Sequence, residues 1–438
     1  MSLLERLWAR RRERPGLVLV AALLLGALLT YPFVDWWLRA NFEFASNFRF
    51  GDFGAYNTAI ERWHEGESLY RRTEDGGFWG TYLYPPVVLL LFWPFTELLA
   101  FRPAAMAWVL STGLFLWLGL QALVAALGVD LRWFERLGLA WLVAGFQPVI
   151  LTAKLGQTAL FMGGLLSFAA AAMIDDGRRS ANRADNSLRS SPVALASGAA
   201  TAVVGIVKFA YAPVGAHLLH DRQRMAGALL ALVPVLWLSI RFFDVSSYRT
   251  YVEVLRWGVE QGDGGARSPT LWLPPYFKPF AWLPGAQALR ALVCLGIAGL
   301  SVLAPSRARR SVFALGVAAV PLFTPQTYAY YFVALLPVAL VLLAVELERD
   351  GYPELVLVSL LLVHLHSYGL KFVVHNVPAA VPAFETLQPA YLLFQPGLWG
   401  NALLFGLAAR SVVRSTDLST VLLTGFDGTG SRANESDG

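Results

Sequence analysis

The sequence predicts an all-α polytopic membrane protein. Hydrophobic residues make up 56% of the 438 positions and charged residues only 15%. Apolar runs of about 18 residues recur along the chain, and this is the length that crosses ~30 Å of hydrocarbon. A water-soluble protein of this length does not repeat such runs. Together with the interrupted runs they predict about ten to twelve transmembrane helices.

The runs follow one another from the N-terminus to the tail. The uninterrupted ones cover residues 17–34, 107–127, 137–153, 159–174, 225–240, 286–304, 312–323, 332–345, 355–370 and 398–413. Two more, 84–100 and 194–219, are interrupted by Pro94 and by Lys208 with Pro213. Proline breaks a helix because it has no N–H, and a lysine at membrane depth is costly. These two segments are therefore predicted to be broken helices.

The charge distribution predicts the orientation and the domain organisation. Five arginines precede the first run, and basic residues on the inner side orient membrane proteins, so residues 1–14 are expected to be a cytoplasmic basic segment. Residues 15–414 would form the membrane domain, with external loops at about 35–82 and 244–285. Residues 415–438 are expected to be a disordered cytoplasmic tail. The modest net charge of +5 then reflects inner loops rather than nucleic-acid binding.

Three basic clusters in the middle of the chain conflict with a simple alternation of full-length helices. They are Arg132 with Arg136, residues 178–189, and Arg222 with Arg224. All three have the composition of cytoplasmic loops. One interpretation is that the segments near Pro94 and Lys208 are paired half-helices that turn back, which membranes tolerate where the backbone is buried or lines a cavity.

Asp52 is the leading candidate for chemistry. It lies in Phe50-Gly51-Asp52-Phe53-Gly54, just after the first apolar run, and a short interfacial helix is predicted over 55–63. A carboxylate facing an external cavity can act as a general base. The same residue could instead cap a helix that begins near Phe53, since aspartate is favoured at N-caps. The two interpretations are compatible.

Several other polar or aromatic residues interrupt the apolar pattern. Tyr56 follows Asp52, and Tyr84 lies in a Tyr-Pro-Pro motif that is either a cavity wall or an interfacial aromatic belt. Gln157 follows Gly156 between two runs, in what is either a site or a loop. Lys208 could hold a lipid-linked phosphate or extend its amine to the headgroup region.

Three candidates lie in the C-terminal half. Gln326 and Tyr328, in Thr324-Pro325-Gln326-Thr327-Tyr328, are predicted at a cavity rim, and His375 is predicted near the outer surface where it could contact substrate. His364 and His366 are two residues apart, so a helix would point them to different faces. The sequence contains no glycine-rich phosphate loop, no His-Glu-x-x-His and a single cysteine. No cofactor and no metal site are expected.

Taken in order, these motifs resemble glycosyltransferase family 87, membrane mannosyltransferases of the GT-C type. The matching pattern is Asp52-Phe53-x-x-Tyr56, Gly66-x-x-Leu69-Tyr70, Tyr84-Pro85-Pro86, Gly156-Gln157, Gly205-x-x-Lys208 and Thr324-Pro325-Gln326. The family often has Trp or His after this last proline, where the present chain has tyrosines at 328, 330 and 331.

The resemblance implies a GT-C fold and a polyprenyl-phosphate sugar donor, usually of mannose. It further implies inverting transfer to a glycolipid or glycan hydroxyl on the external face of the cell membrane, with Asp52 as general base. An inverting transfer needs one base, and the phosphate leaving group needs positive charge rather than an acid. The alternative is a transporter or flippase of a lipid-linked sugar, for which midplane charges and internal symmetry would be typical.

Overall fold

The computed structural model describes residues 11–41, 49–74, 76–181, 191–263, 284–324, 327–366 and 395–416. All the regular elements in these ranges are helices, which confirms the predicted all-α class. The α-helices are α1 (Pro15–Asn41), α2 (Gly51–His64), α3 (Trp93–Leu98), α4 (Phe101–Ala126), α5 (Trp133–Gly145), α6 (Gln147–Leu155), α7 (Ala159–Ala181), α8 (Pro192–Val207), α9 (Arg222–Phe242), α10 (Val245–Asp263), α11 (Ala286–Leu303), α12 (Arg309–Phe323), α13 (Leu335–Glu348), α14 (Pro353–His364) and α15 (Pro396–Ser415). Short 3₁₀ helices cover Pro86–Leu91, Phe209–His220, Ser306–Ala308 and Ala329–Ala334.

The protein is a multi-pass membrane protein. Six helices in the described ranges are long and apolar enough to cross a bilayer: α1, α4, α7, α9, α11 and the continuous helix Ala329–Glu348 that ends in α13. The bent pair of α5 and α6 would make a seventh span, and α8 and α14 are shorter apolar helices. The count of ten to twelve spans stays a prediction.

The run at 137–153 is not the single continuous helix that its composition predicts. α5 ends at Gly145 and α6 begins at Gln147, with a bend of 68° between them. Phe146 has extended backbone angles, and Pro148 follows in the first turn of α6. The cause is local, because proline cannot continue the hydrogen-bond ladder of α5. The bend turns α6 toward α2.

The interrupted run at 194–219 forms a hairpin. α8 leads to Lys208, and the 3₁₀ helix Phe209–His220 then returns along it, so that the ring of His217 lies 3.0 Å from the hydroxyl of Thr201. The segment therefore ends on the side where it began. The other interrupted run, 84–100, breaks into the 3₁₀ helix Pro86–Leu91 and α3.

Charged residues pair at one end of the helix bundle, which we call the basic end. The hairpin packs on α12 through His217 and Phe313, whose rings are 5.5 Å apart. The charged residues at the end of the hairpin and those at the start of α12 therefore belong to the same end of the bundle. The ion pairs there are Arg14 with Asp350 and Glu354, Arg310 with Glu348, and Arg224 with Asp176 and Asp221.

The direction of the middle helices places the two described mid-chain basic clusters, Arg132 with Arg136 and Arg222 with Arg224, at the same end of the bundle as the end of α7. α4 and α7 run in parallel, and α5 returns against α4, where the Trp117 indole donates to the carbonyl of Arg136 at 3.0 Å. The ring pairs that establish the parallel packing are Trp108 with Phe161 and Phe115 with Phe168. With the 194–219 hairpin, Arg132 with Arg136, the end of α7 and Arg222 with Arg224 lie toward the basic end, and residues 182–189 of the second cluster lie outside the described residues. Asp52 lies after the opposite end of α1.

Candidate functional site

The start of α2 fixes the position of Asp52 through the backbone. The helix begins at Gly51, and the N-cap is Phe50, a residue with a left-handed backbone (φ 61°) and no side-chain capping bond. The Phe50 N–H instead donates to the carbonyl of Lys154 at 2.6 Å. Asp52 is therefore inside the first turn, and the N-cap interpretation is wrong. A carboxylate in that turn still gains from the helix dipole.

A glycine allows α6 to approach α2. Gly156 ends α6 with φ of 71°, a conformation that disfavours residues with a Cβ. A Cβ at this position would also lie 2.7 Å from the Cβ of Phe53. Glycine is thus required both by the turn and by the close contact. The turn places the side chain of the next residue, Gln157, against Asp52.

Gln157 joins the carboxylate to two buried tyrosines. Its amide nitrogen donates to Asp52 Oδ2 at 2.7 Å. Its amide oxygen accepts from Tyr84 at 2.7 Å, from Tyr56 at 3.1 Å and from the Thr158 N–H at 3.2 Å. Because three donors face the oxygen, the amide nitrogen must point at the carboxylate. Asp52 is thereby held as a hydrogen-bond acceptor.

The surroundings of Asp52 raise the pKa of its carboxyl above the ordinary value of 3.8. Burial is the largest cause, because a poorly solvated carboxylate is less stable. The hydrogen bond from Gln157 and the positive charge of Lys208 act in the opposite direction and lower the pKa. In the described part of the chain nothing donates to Oδ1, so that oxygen is available to a ligand.

Lys208 lies at the tip of the α8 hairpin and faces aromatic rings. Its ammonium is 3.8 Å from the ring centre of Tyr331, 5.1 Å from that of Tyr330 and 5.7 Å from that of Tyr84. These are cation–π distances. Tyr328 stacks on Tyr330 at 5.1 Å and extends the group. We call Lys208 with these four tyrosines the lysine–tyrosine cage.

The structure thus brings five of the predicted site residues to Asp52 or to the cage. Tyr56, Tyr84 and Gln157 form the network, and Lys208 and Tyr328 belong to the cage. Gln326 and His375 lie outside the described residues.

The sequence did not identify Thr158 or Tyr211. Thr158 shares a 3.1 Å contact with the Tyr84 hydroxyl, and the Tyr211 ring stacks at 6.0 Å on that of Tyr331. Their signals, a polar residue after Gly156-Gln157 and a tyrosine three residues after Lys208, were available. His364 and His366 have separate surroundings, as their spacing predicts: one ring contacts Tyr31 and the other contacts Phe332.

A cavity of about 780 Å³ lies on the other side of α2, which we call the α2 cavity. One face of α2 forms its floor, and the segment after α2 forms its wall. The lining residues are Gly51, Gly54, Ala55, Thr58, Ala59, Arg62, Leu69, Arg71, Arg72, Thr73, Glu74, Trp79, Gly80, Thr81 and Tyr82.

The family model of glycosyltransferase family 87 matches residues 82–325, more than half of the chain. The chain belongs to glycosyltransferase family 87. Comparison with curated proteins and with solved structures gave no match. Of the site residues of this membrane glycosyltransferase, Tyr84, Gln157 and Lys208 lie inside the matched region. The match does not cover Asp52, which precedes the matched region and is joined to it by its hydrogen bond with Gln157.

Proposed function

We propose that this family 87 glycosyltransferase transfers a hexose, with mannose as the leading candidate, from a polyprenyl-phosphate donor to a hydroxyl of a glycolipid or glycan. The transfer inverts the anomeric carbon, and Asp52 is the general base. The observation that carries the proposal is the Asp52 carboxylate, held by Gln157 at 2.7 Å and within electrostatic reach of Lys208.

The base step uses the oxygen of Asp52 that Gln157 does not occupy. An acceptor hydroxyl bound at Oδ1 would give its proton to the carboxylate while its oxygen bonds to C1 of the sugar and the bond from C1 to the phosphate oxygen breaks. The raised pKa makes the carboxylate a stronger base than a solvated aspartate. Gln157 and Tyr56 are buried behind it, so we assign them positioning roles.

The leaving group is a phosphate monoester anion, which needs positive charge more than a proton. Lys208 is suited to hold it, because the cage surrounds the ammonium with rings and leaves it able to donate hydrogen bonds to an anion. Tyr84 links the two halves of the site, since it contacts both Gln157 and the ammonium. In this proposal Tyr328, Gln326 and His375 complete the substrate surface.

The distribution of charge supports an active site on the external face. The ion pairs of Arg14, Arg224 and Arg310 lie at the basic end, and Asp52 follows the other end of α1, where Arg62 and Arg72 are each paired with a glutamate. Basic groups favour the cytoplasmic side of a membrane. A donor whose lipid tail stays in the bilayer also explains why the catalyst is a membrane protein.

The test is a transfer assay with purified protein in lipid nanodiscs, radiolabelled polyprenyl-phosphate-mannose and a crude glycolipid extract. We expect label to move to a glycolipid or glycan, with the anomeric configuration opposite to that of the donor. Retention of configuration would contradict a single-base mechanism. Movement of intact donor between leaflets without transfer would identify a flippase.

A further inference from the structure

The α2 cavity is distinct from the lysine–tyrosine cage. Its floor is the face of α2 that repeats every three or four residues from Gly51 to Arg62. The opposite face, with Phe53 and Tyr56, is buried in the protein. Asp52 lies between the two faces, next to Gly51 on the cavity floor. Asp52 itself is not among the lining residues, but its neighbour Gly51 is, so the cavity begins one residue away from the carboxylate.

Among the described residues, the charged lining of the cavity is mainly basic. Three of the described lining residues are arginines, Arg62, Arg71 and Arg72, and one is an acid, Glu74. A guanidinium is the group best suited to bind a carboxylate or a phosphate through paired hydrogen bonds. Exposed ion pairs contribute little energy, so partners outside the lining do not remove this preference.

The three arginines differ in how they are held. Arg62 pairs with Glu67 at 2.8 Å, and Arg72 pairs with Glu253 at 2.6 Å. Arg71 is exposed and has no ion pair with any residue in the described ranges. Arg71 is thus the guanidinium that a ligand can bind without displacing a carboxylate partner, whereas Arg62 and Arg72 each have one already.

The cavity also offers a surface for a sugar ring. Trp79 is half-buried in the lining, and its ring is held edge-on against that of Trp257 at 4.8 Å. The C–H face of a pyranose packs on such rings, and the hydroxyl of Thr58 adds a hydrogen-bonding group.

We propose that the α2 cavity is the acceptor subsite and that it selects a saccharide carrying a phosphate or a carboxylate, which Arg71 binds. The role of the cavity as an acceptor subsite rests on the proposed transfer reaction. Its binding preference can be tested without that reaction. The anionic group binds Arg71, the sugar ring packs near Trp79, and the reacting hydroxyl faces Asp52.

The test measures binding to the full-length protein in nanodiscs by calorimetry, with mannose 6-phosphate and mannose as probes. We expect the phosphorylated sugar to bind more tightly. Arg71→Gln should weaken its binding about tenfold or more, because a hydrogen-bonded charge pair is lost, and should leave mannose unaffected. Arg71→Lys should keep part of the preference. Arg249→Gln, an exposed arginine outside the lining, is the matched control and should change nothing.

Two further variants separate this inference from the proposed function. Asp52→Asn should lower sugar transfer by about a hundredfold or more but keep the binding preference, and Lys208→Met should also keep it. Equal binding of the two sugars, or an undiminished preference in Arg71→Gln, would overturn the subsite. Loss of the preference in Lys208→Met would place the phosphate in the cage and overturn it too. If the preference holds while the wild type transfers no sugar, the proposed function fails and the binding site stands.

Discussion

The side-chain amide of Gln157 donates a 2.7 Å hydrogen bond to the carboxylate of Asp52, across 105 positions of sequence. The bond joins the first loop helix to the end of the broken span of α5 and α6. Its direction is fixed, since Tyr84, Tyr56 and a backbone N–H all donate to the amide oxygen.

Replacing Gln157 tests whether this bond supports the base. We expect Gln157→Met, which keeps the shape but not the amide, to lower kcat about tenfold or more, because a hydrogen bond to a charged group contributes about 1.5–3 kcal/mol. Donor KM should change little. The measurement is a steady-state transfer assay, and an unchanged kcat would show that the bond does not matter.

The pH profile should report Asp52. The base works only when ionised, so activity falls as the pH falls through its pKa, and this pKa is raised above 3.8. Since the charge of Lys208 lowers the pKa, Lys208→Met should move the acid limb of kcat to higher pH. Lys154→Met is the matched control, because this lysine is not among the groups that shift Asp52. An acid limb that stays in place in Lys208→Met would contradict the assignment.

Tyr84 should contribute more to the network than Tyr56. Its hydroxyl is 2.7 Å from the Gln157 oxygen, against 3.1 Å for Tyr56, and its ring also faces Lys208. We expect Tyr84→Phe to lower kcat several-fold, by about 1 kcal/mol of barrier, and Tyr56→Phe to lower it less. Combining each with Gln157→Met in a double-mutant cycle measures the coupling, and full additivity would mean that the groups act separately.

Gly156 should be intolerant of a side chain. Gly156→Ala must place a Cβ in a left-handed backbone and against Phe53, so we expect about 1–3 kcal/mol of lost stability and a loss of transfer. Gly138→Ala is the control, since it lies in α5 with no neighbouring atom within 4 Å and alanine favours helix. Thermal melting of both variants decides the matter, and equal stability would refute the turn argument.

The sequence predicts the helical class and most segment positions, because apolar runs report membrane spans directly. It does not predict the break at Phe146, since a hydrophobic run has the same composition whether or not Pro148 bends it. The helix start was misplaced as well: the pattern placed Asp52 before the helix, whereas the contact of Phe50 with Lys154 starts it at Gly51.

The site residues could be named from sequence but not connected. Gln157 and Lys208 stand out as polar residues among apolar ones. Gln157 reaches Asp52 because of the turn at Gly156, and Lys208 comes near it because of the hairpin at the end of α8. Both the turn and the hairpin are tertiary features. Thr158 and Tyr211 show the same limit, because only the packing distinguishes them from ordinary loop and interface residues.

The most direct test of the account is the transfer activity of Asp52→Asn beside Glu61→Gln, measured with radiolabelled donor in nanodiscs. Glu61 is an exposed acid on the same helix, bonded to Asn57 at 2.7 Å, and receives the same acid-to-amide change. We predict that Asp52→Asn keeps its fold and donor binding but loses sugar transfer by about a hundredfold or more, and that Glu61→Gln stays at the wild-type rate. Transfer by Asp52→Asn at the rate of Glu61→Gln would contradict the assignment of Asp52 as the base.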